Sequence, residues 1–319
     1  MKRLRYDHWV PFGWHGIRLD IPAEWNPGKI VGDRKSGSVR LDDATTIRME
    51  IEWRAAGGDD RITPIVDRFV EGLAKTAQKQ KTALHVERNA ECAGLNLPDM
   101  RPMEYFIWES DARVYTLTCY SPVSDRLLFL RVMGRPDEDM AGFLARLFNS
   151  LKDSPPDGPH TWALFDLVFT SLPGYVLETY DLKSGHLRFR FEQGRNILQV
   201  DRISLAETLL KDRTHADWYR GFFRKDLRHL IFETREVPVG GHPGIHLQGR
   251  PKSRWRTLLQ PLPFWRVRPR LHLDGRVWTC PESNKIYVVQ SSWKKAENAP
   301  DIEACCRNVL CHAETTQAV

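Results

Sequence analysis

The sequence predicts an α+β protein built from two tandem copies of one unit, each a twisted antiparallel sheet flanked by helices. Three observations predict this class: a proline-rich linker near the middle of the 319-residue chain, alternating strands on both sides of it, and an apolar helical stripe after the strands. A single hydrophobic core stops growing near about 250 residues, so two domains are expected at this length.

The linker is the stretch Asp-Ser-Pro-Pro-Asp-Gly-Pro at residues 153–159. Two consecutive prolines exclude a helix, and the polar neighbours contribute nothing to a core. We therefore expect a first domain over residues 1–153 and a second over residues 160–319.

Each half begins with three strands. The first strand follows Trp14 in one half and Trp162 in the other, and a Lys-Ser-Gly tripeptide (35–37 and 183–185) precedes the second. The third strand is predicted over 47–53 and 197–203. Alternation with a period of two gives each strand one buried and one solvated face.

A helix is predicted after the third strand of each half. In the first half, apolar residues at helical spacing run from Ile62 to Ala77, and Thr63 before Pro64 is expected to be the N-cap. In the second half, the aromatic-rich segment 206–231 is expected to form the matching helix. A closing helix is expected near 140–151 and near 302–313.

The spacing between matching motifs reveals extra length in the second half. The Lys-Ser-Gly tripeptides lie 148 residues apart, whereas the pair Thr118-Cys119 matches Thr279-Cys280 at a distance of 161 residues. The sequence therefore predicts a net insertion of 13 residues between these motifs in the second copy.

The order of elements resembles the PsbP/DcrB/Mog-like fold. The segments that carry the resemblance are Ile-Pro-Ala-Glu-Trp at 21–25, the Val-x-Val-Gly-Gly stretch beginning at Val237, and Phe-Asn-Ser-Leu-Lys at 148–152. The resemblance implies a twisted antiparallel sheet flanked by helices, and most members of that family act by binding other proteins.

Charge is distributed unevenly along the chain. The net charge is +6, with 23 Lys/Arg and 24 Asp/Glu before residue 160, and 24 Lys/Arg and 17 Asp/Glu from there on. The excess of positive charge in the second half lies in residues 250–276, which contain eight Lys/Arg residues and one acidic residue, Asp274. We call these residues the basic segment. The predicted insertion falls in the same place.

The basic segment is expected to bind a partner. Arginine interleaved with aromatic residues is typical of interface anchors and of platforms that stack single-stranded nucleic acid. The sequence favours an acidic protein as the partner, with nucleic acid, an anionic surface or a merely solvated hairpin as alternatives. The predicted partner-binding residues are Arg250, Lys252, Arg254, Trp255, Arg256, Phe264, Trp265, Arg266, Arg268 and Arg270.

The cysteines raise the alternative of a zinc site. The candidate ligands are Cys280, Cys305, Cys306, Cys311 and His312. No Cys-x-x-Cys pair is present, and neighbouring residues on a helix point about 100° apart, so buried apolar thiols are favoured over a metal site. The match of Cys280 to Cys119 indicates a structural role shared by both copies. His242 and His246 on an extended strand would lie about 13 Å apart, too far to share an ion.

No phosphate-binding loop or nucleophile motif is present in the sequence, and no cofactor is expected. The sequence favours a non-catalytic binding or adaptor protein. The alternatives are an enzyme or small-ligand binder with a cleft between the domains, and a nucleic-acid-binding protein. No apolar run reaches signal-peptide or membrane-spanning length, which predicts a cytoplasmic protein with reduced thiols. The oligomeric state is left open.

Overall fold

The computed structural model describes residues 2–3, 6–140, 142–252, 271–294 and 299–312. The chain divides into two compact units, Met1–Asp166 and Leu167–Val319. The elements of the first unit are β1 Lys2–Arg3, β2 Trp9–Trp14, β3 Ile17–Pro22, β4 Asn26–Gly32, β5 Ser36–Asp42, β6 Ile47–Ala55, α1 Thr63–Gln80, β7 His85–Glu87, β8 Met103–Glu109, β9 Arg113–Ser121, β10 Arg126–Gly134, β11 Glu138–Asp139, α2 Phe143–Asn149 and β12 Thr161–Leu164.

The main sheet of the first unit is antiparallel and has the strand order β4-β5-β6-β10-β9-β8-β7. Helix α1 lies on one face, where Ile62 and Val66 are buried with Phe106 and Phe129. β2 and β3 form a separate hairpin, and β12 pairs with β2 through Ala163 and Gly13. A Cβ atom on Gly13 would lie 2.5 Å from the Thr161 carbonyl oxygen, so this close pairing requires glycine.

The second unit contains β13 Leu167–Thr170, β14 Val176–Lys183, β15 His186–Gln193, β16 Asn196–Ser204, α3 Ala206–Leu209, α4 His215–Phe222, α5 Arg224–Leu227, β17 Leu230–Glu236, β18 Gly244–Pro251, β19 His272–Cys280, β20 Lys285–Trp293 and α6 Ile302–Arg307. Its antiparallel sheet has the order β14-β15-β16-β20-β19-β18-β17. One face packs against α4, where Trp218 and Tyr219 are buried with Leu247 and Val288. Helix α6 contacts β19 and β20.

The two seven-stranded sheets share one strand order, and Thr118 and Thr279 both lie on the fifth strand in that order. Their positions along the strand differ. The hairpin that follows has Asp125 at φ 52° in the first unit and Asn284 at φ 51° in the second, so these two residues are equivalent. Counting back from these two residues, Cys280, the last residue of β19, is equivalent to Ser121, the last residue of β9. The predicted match of Cys280 to Cys119 is therefore wrong by two residues.

The α+β prediction for the fold class is wrong. Strands hold 48% of the described residues and helices 17%, so the structure is mostly antiparallel sheet with few helices. The first strand pair of the first unit, β2 and β3, also leaves the main sheet and pairs with β12. Among the described helices only α1 is long; α2 has seven residues and α6 has six, and helices of this length are too short to form a covering layer.

The predicted helix over 206–231 is broken into three pieces. Asp212 has φ 57° between α3 and α4, and Phe223 leaves helical geometry between α4 and α5. The segment then enters β17 at Leu230. Aromatic residues at helical spacing therefore fill a core here without requiring one continuous helix. The predicted cap at Thr63 is also wrong, because the N-cap of α1 is Ile62 and Thr63 is the first helical residue.

The first unit buries a neutral histidine. His15 is 6% exposed, and its ring lies 5.1 Å from Trp14 and 5.3 Å from Trp162 between ring centroids. Burial, with a smaller contribution from nearby Arg126, lowers the pKa of His15 to about 3. Because the unfolded chain binds this proton near pH 6.5 and the folded chain does not, the free energy of unfolding falls as the pH drops below that value.

Replacing His15 with Asn is expected to reduce this acid sensitivity. Asn tolerates the left-handed backbone that His15 adopts at φ 50°. A buried neutral histidine makes the free energy of unfolding depend on pH with a slope of up to about 1.4 kcal/mol per pH unit. Between about pH 7.5 and about pH 5, the free energy of unfolding measured with urea should therefore fall by roughly 2 kcal/mol more in wild type than in His15→Asn. The exposed His8→Asn variant is the control. Equal pH dependence in wild type and His15→Asn would contradict the prediction.

Candidate functional site

The basic segment connects two neighbouring antiparallel strands of the second unit. β18 ends at Pro251, β19 begins at His272, and Gly249 pairs with Leu273. In the first unit, the matching strands β8 and β9 are joined by residues 110–112, and the Ser110 N–H donates to the Ala112 carbonyl at 3.2 Å. The same hairpin therefore closes in one unit with three residues and carries a long extension in the other.

Most of the predicted partner-binding residues lie outside the described residues. These are Arg254, Trp255, Arg256, Phe264, Trp265, Arg266, Arg268 and Arg270. Arg250 and Lys252 are described and exposed at the base of the extension. The Lys252 ammonium donates to the Arg228 carbonyl at 2.9 Å, which places Arg228, directly after α5, beside the first residues of the basic segment.

Arg276, at the far end of the basic segment, has a structural role. Its guanidinium donates to Asp274 at 3.2 Å and to the Gly275 carbonyl at 3.1 Å, and it lies 3.3 Å from Glu303 of α6. Three partners within its own unit occupy this side chain. It is therefore excluded from the candidate docking surface.

The five candidate zinc ligands separate into two groups. Cys305 and Cys306 are buried on α6 at 0% and 6% exposure, and burial raises the pKa of the Cys305 thiol to about 12 and that of Cys306 still further. Cys280, Cys311 and His312 lie elsewhere, and His242 joins them. We call this group of four residues the Cys-His cluster. One donor atom from each residue lies within 4.8 Å of the others.

Two hairpin ends and the segment after α6 bring the Cys-His cluster together. His242 follows the glycine turn at Gly240 and Gly241, both at positive φ, and exchanges two backbone hydrogen bonds of 3.0 Å with Val239. Cys280 is the last residue of β19. Cys311 and His312 follow α6, where the Leu310 N–H donates to the Val168 carbonyl at 2.9 Å. Tyr287 also donates to the Cys311 carbonyl at 3.2 Å.

The donor atoms converge on one another. Cys311 Sγ lies 3.2 Å from His242 Nε2 and 3.3 Å from His312 Nδ1, and Cys280 Sγ lies 3.3 Å from the same Nδ1. Burial and the neighbouring Cys280 sulfur raise the pKa of the Cys311 thiol to about 12. Burial first, and the neighbouring sulfur second, therefore disfavour a thiolate at Cys311 unless a cation compensates its charge.

A carboxylate completes the surroundings of the cluster. Glu282, in the turn after β19, accepts from the Cys280 thiol at 3.1 Å and lies 3.9 Å from His242 Nδ1. A backbone N–H, followed by the Cys280 thiol, lowers the pKa of Glu282. Glu282 is therefore ionised and lies on the Nδ1 side of the His242 ring, whereas the Cys311 sulfur lies on the Nε2 side.

Sequence reasoning missed His242 because it compared this residue only with His246. The structure separates the two histidines, since His246 Nε2 lies 2.7 Å from Asp274 on the neighbouring strand. A usable signal was present in the sequence. The neighbouring Cys311-His312 pair and the hairpin-end positions of His242 and Cys280 together supply two sulfur and two nitrogen donors.

No protein-family model and no curated protein matches the chain. Among solved structures, it is similar to the immunity protein TplEi of T6SS from Pseudomonas aeruginosa, in complex with an "L" peptide. The sequence identity is 12%, the match covers 93% of this chain and 91% of that chain, and the TM-score is 0.32. A similarity of this strength supports no inference about function, and the resemblance to the PsbP/DcrB/Mog-like fold stays a prediction. In the described part of the chain, no helix is both long and apolar enough to cross a membrane.

Proposed function

We propose that the chain is a non-catalytic protein-binding protein whose basic segment docks an acidic partner protein. The observation that supports this most strongly is the difference between the two hairpins. Residues 110–112 suffice to join β8 to β9, whereas residues 252–271 join β18 to β19. Since the sheet has the same strand order in both units, the extra length serves something other than closing the sheet.

The charge at the base of the basic segment supports an acidic partner. Five exposed cations lie on or beside α5 and at the end of β18, accompanied by one acid, Asp226: Arg224, Lys225, Arg228, Arg250 and Lys252. Clustered exposed cations increase the rate of encounter with an acidic surface and favour it over other surfaces. The cations of residues 254–270 continue this cluster along the sequence.

The aromatic residues of the basic segment supply the apolar part of the proposed contact. Trp255, Phe264 and Trp265 alternate with arginines, and Trp and Arg are enriched among the residues that dominate binding energy at protein interfaces. Charge then steers the partner, and the aromatic side chains set its lifetime on the surface.

The proposal is tested by replacing Arg254, Arg256, Arg266 and Arg268 with Ser. The probe is a fluorescein-labelled polyglutamate peptide, and its affinity is measured by anisotropy at several salt concentrations. We expect wild type to bind with an affinity that falls with salt, and the four-Ser variant to bind at least about tenfold more weakly, since each exposed ion pair contributes up to about 1 kcal/mol.

The matched control removes the same charge from exposed arginines elsewhere: Arg68, Arg195, Arg213 and Arg307 to Ser. This control is expected to bind the peptide within about twofold of wild type, because these side chains lie outside the basic segment. An equal loss of affinity in both variants would show that peptide binding depends only on the net charge of the protein, and would contradict a specific docking segment.

A single-stranded DNA oligonucleotide of matched charge distinguishes the nucleic-acid alternative. If it binds more tightly than the peptide and loses affinity on Trp265→Ala, the segment is a nucleic-acid platform. The alternative of an enzyme or small-ligand binder with a cleft between the domains stays a prediction.

A further inference from the structure

We propose that the Cys-His cluster binds one zinc ion through the two sulfurs of Cys280 and Cys311 and one ring nitrogen each from His242 and His312. This site is independent of the basic segment. It is a structural site in the second unit, formed by three segments that lie far apart in the sequence.

The chemistry of the donors selects the metal. Two cysteines and two histidines form one of the common structural zinc sites, and soft sulfur ligands disfavour magnesium and calcium, which prefer oxygen. Four protein donors fill a tetrahedral coordination shell and leave no open position for a substrate. The donor set therefore indicates a structural ion rather than a catalytic one.

The separations between donors fit a shared ion. With Zn–S near 2.3 Å and Zn–N near 2.05 Å, a tetrahedral site places sulfur and nitrogen ligands roughly 3.5 Å apart. Three of the four sulfur–nitrogen distances in the cluster are 3.2, 3.3 and 3.3 Å, and the fourth, between Cys280 and His242, is no more than 4.8 Å. A small expansion of the cluster brings all three to the separation that zinc requires.

Hydrogen bonding alone is a poor explanation for this convergence. Thiols are weak donors and weak acceptors, and a neutral imidazole offers one donor and one acceptor. His312 Nδ1 lies 3.3 Å from both sulfurs, and one ring nitrogen cannot bond strongly to two thiols. A cation at the centre would satisfy all four groups at once.

Glu282 fits the role of an outer carboxylate. Histidines that bind zinc through one nitrogen usually direct the other toward a carboxylate or carbonyl, which fixes the ring. His242 has Nε2 toward Cys311 and Nδ1 toward Glu282. Binding releases both thiol protons, so the Cys280 thiol no longer donates to Glu282, and that carboxylate is free to accept from His242. Two thiolates then balance the charge of Zn²⁺.

The site would clamp three separate parts of the second unit. His242 belongs to the turn before β18, Cys280 to the end of β19, and Cys311 and His312 to the segment after α6. That segment is otherwise attached through Leu310 and the Tyr287 hydroxyl. Since zinc binds the folded site and not the unfolded chain, it is expected to raise the melting temperature.

The test measures zinc in the full chain purified without chelator, with Zn²⁺ alone as the probe. We expect one zinc per chain by elemental analysis, and thiolate-to-metal charge-transfer absorption after exchange with Co²⁺. Cys280→Ser and His312→Ala should lose the bound zinc, whereas Cys92→Ser in the first unit should keep it. His312 is exposed, so its replacement tests the site even if Cys280→Ser fails to fold.

Glu282→Gln supplies a graded test of the same site. Loss of an outer carboxylate typically lowers metal affinity by about 10- to 100-fold while the ligands stay in place, and competition with a chromophoric chelator measures this shift. The proposal is overturned if wild type equilibrated with excess Zn²⁺ retains none after gel filtration. It is equally overturned if Cys92→Ser loses as much zinc as Cys280→Ser.

Discussion

Replacement of Asp201 by Ala is expected to destabilise the second unit by about 3–5 kcal/mol, the largest stability effect among the substitutions considered. Asp201 lies on β16 and is fully buried. Its carboxylate lies 2.6 Å from His186 Nε2 and accepts from Arg188 at 2.6 Å and from Gln199 at 2.7 Å. Removing the carboxylate leaves the partly buried Arg188 cation and a buried amide without their acceptor, and that uncompensated burial causes the loss.

The measurement is urea-induced unfolding of the full chain, followed by tryptophan fluorescence. Asp181→Ala is the control, because its carboxylate is 41% exposed and pairs with the exposed Lys183. An exposed pair contributes about 0–1 kcal/mol, so the control should unfold close to wild type. Similar midpoints for the two variants would show that the buried network contributes no more than a surface ion pair.

Alternation in the sequence predicted the strands well for a physical reason. The third strands, expected over 47–53 and 197–203, are β6 and β16. Apolar residues alternate with polar ones in both strands, so the pattern is local and visible in the sequence. The polar face of β6 is partly exposed, whereas that of β16 is buried at Gln199 and Asp201, so the expected solvated face is wrong for β16. The separation of β2 and β3 into their own sheet depends on pairing with β12, and no local pattern encodes that pairing.

The prediction of one helix over 206–231 failed because buried residues at helical spacing do not by themselves require a continuous helix. Trp218, Tyr219 and Phe223 fill the core as predicted from their apolar character, yet they belong to the short helix α4 and the turn that follows it. The left-handed residue Asp212 interrupts the segment, and an Asp at positive φ is a feature of turns that spacing alone does not detect.

The candidate zinc site was only partly predictable. The sequence offers Cys280, Cys311 and His312 as possible ligands but favours buried apolar thiols over a metal, and it does not indicate His242. Cys305 and Cys306, the other two candidates, belong to the core. The match of Cys280 to Cys119 shifted the second copy by two residues along the strand and suggested a shared structural thiol. The hairpin turns correct this match, and Cys280 then has Ser121 as its counterpart, so its thiol is particular to the second unit.

The basic segment provides the largest expected effect on binding. We expect that replacing residues 252–270 with Ser-Asp-Ala, the connection used by the first unit, abolishes detectable binding of the polyglutamate peptide and leaves the second unit folded. The reason is geometric. The pairing of β18 with β19 ends with Gly249 opposite Leu273, and in the first unit Glu109 lies opposite Arg113 across the shorter connection. In the same register, Pro251 and Leu271 of the variant would take the places of Glu109 and Arg113. A three-residue turn can therefore close the hairpin without a change of register.

Three measurements on this excision variant separate folding from function. Its melting temperature should stay within a few degrees of wild type, because a three-residue connection already closes the matching hairpin of the first unit. Its zinc content should equal that of wild type, since the four ligands of the Cys-His cluster all lie outside the excised residues. Its peptide affinity should be lost. If the variant unfolds or loses zinc, the segment supports the fold; if it folds and binds the peptide as wild type does, docking takes place elsewhere on the chain.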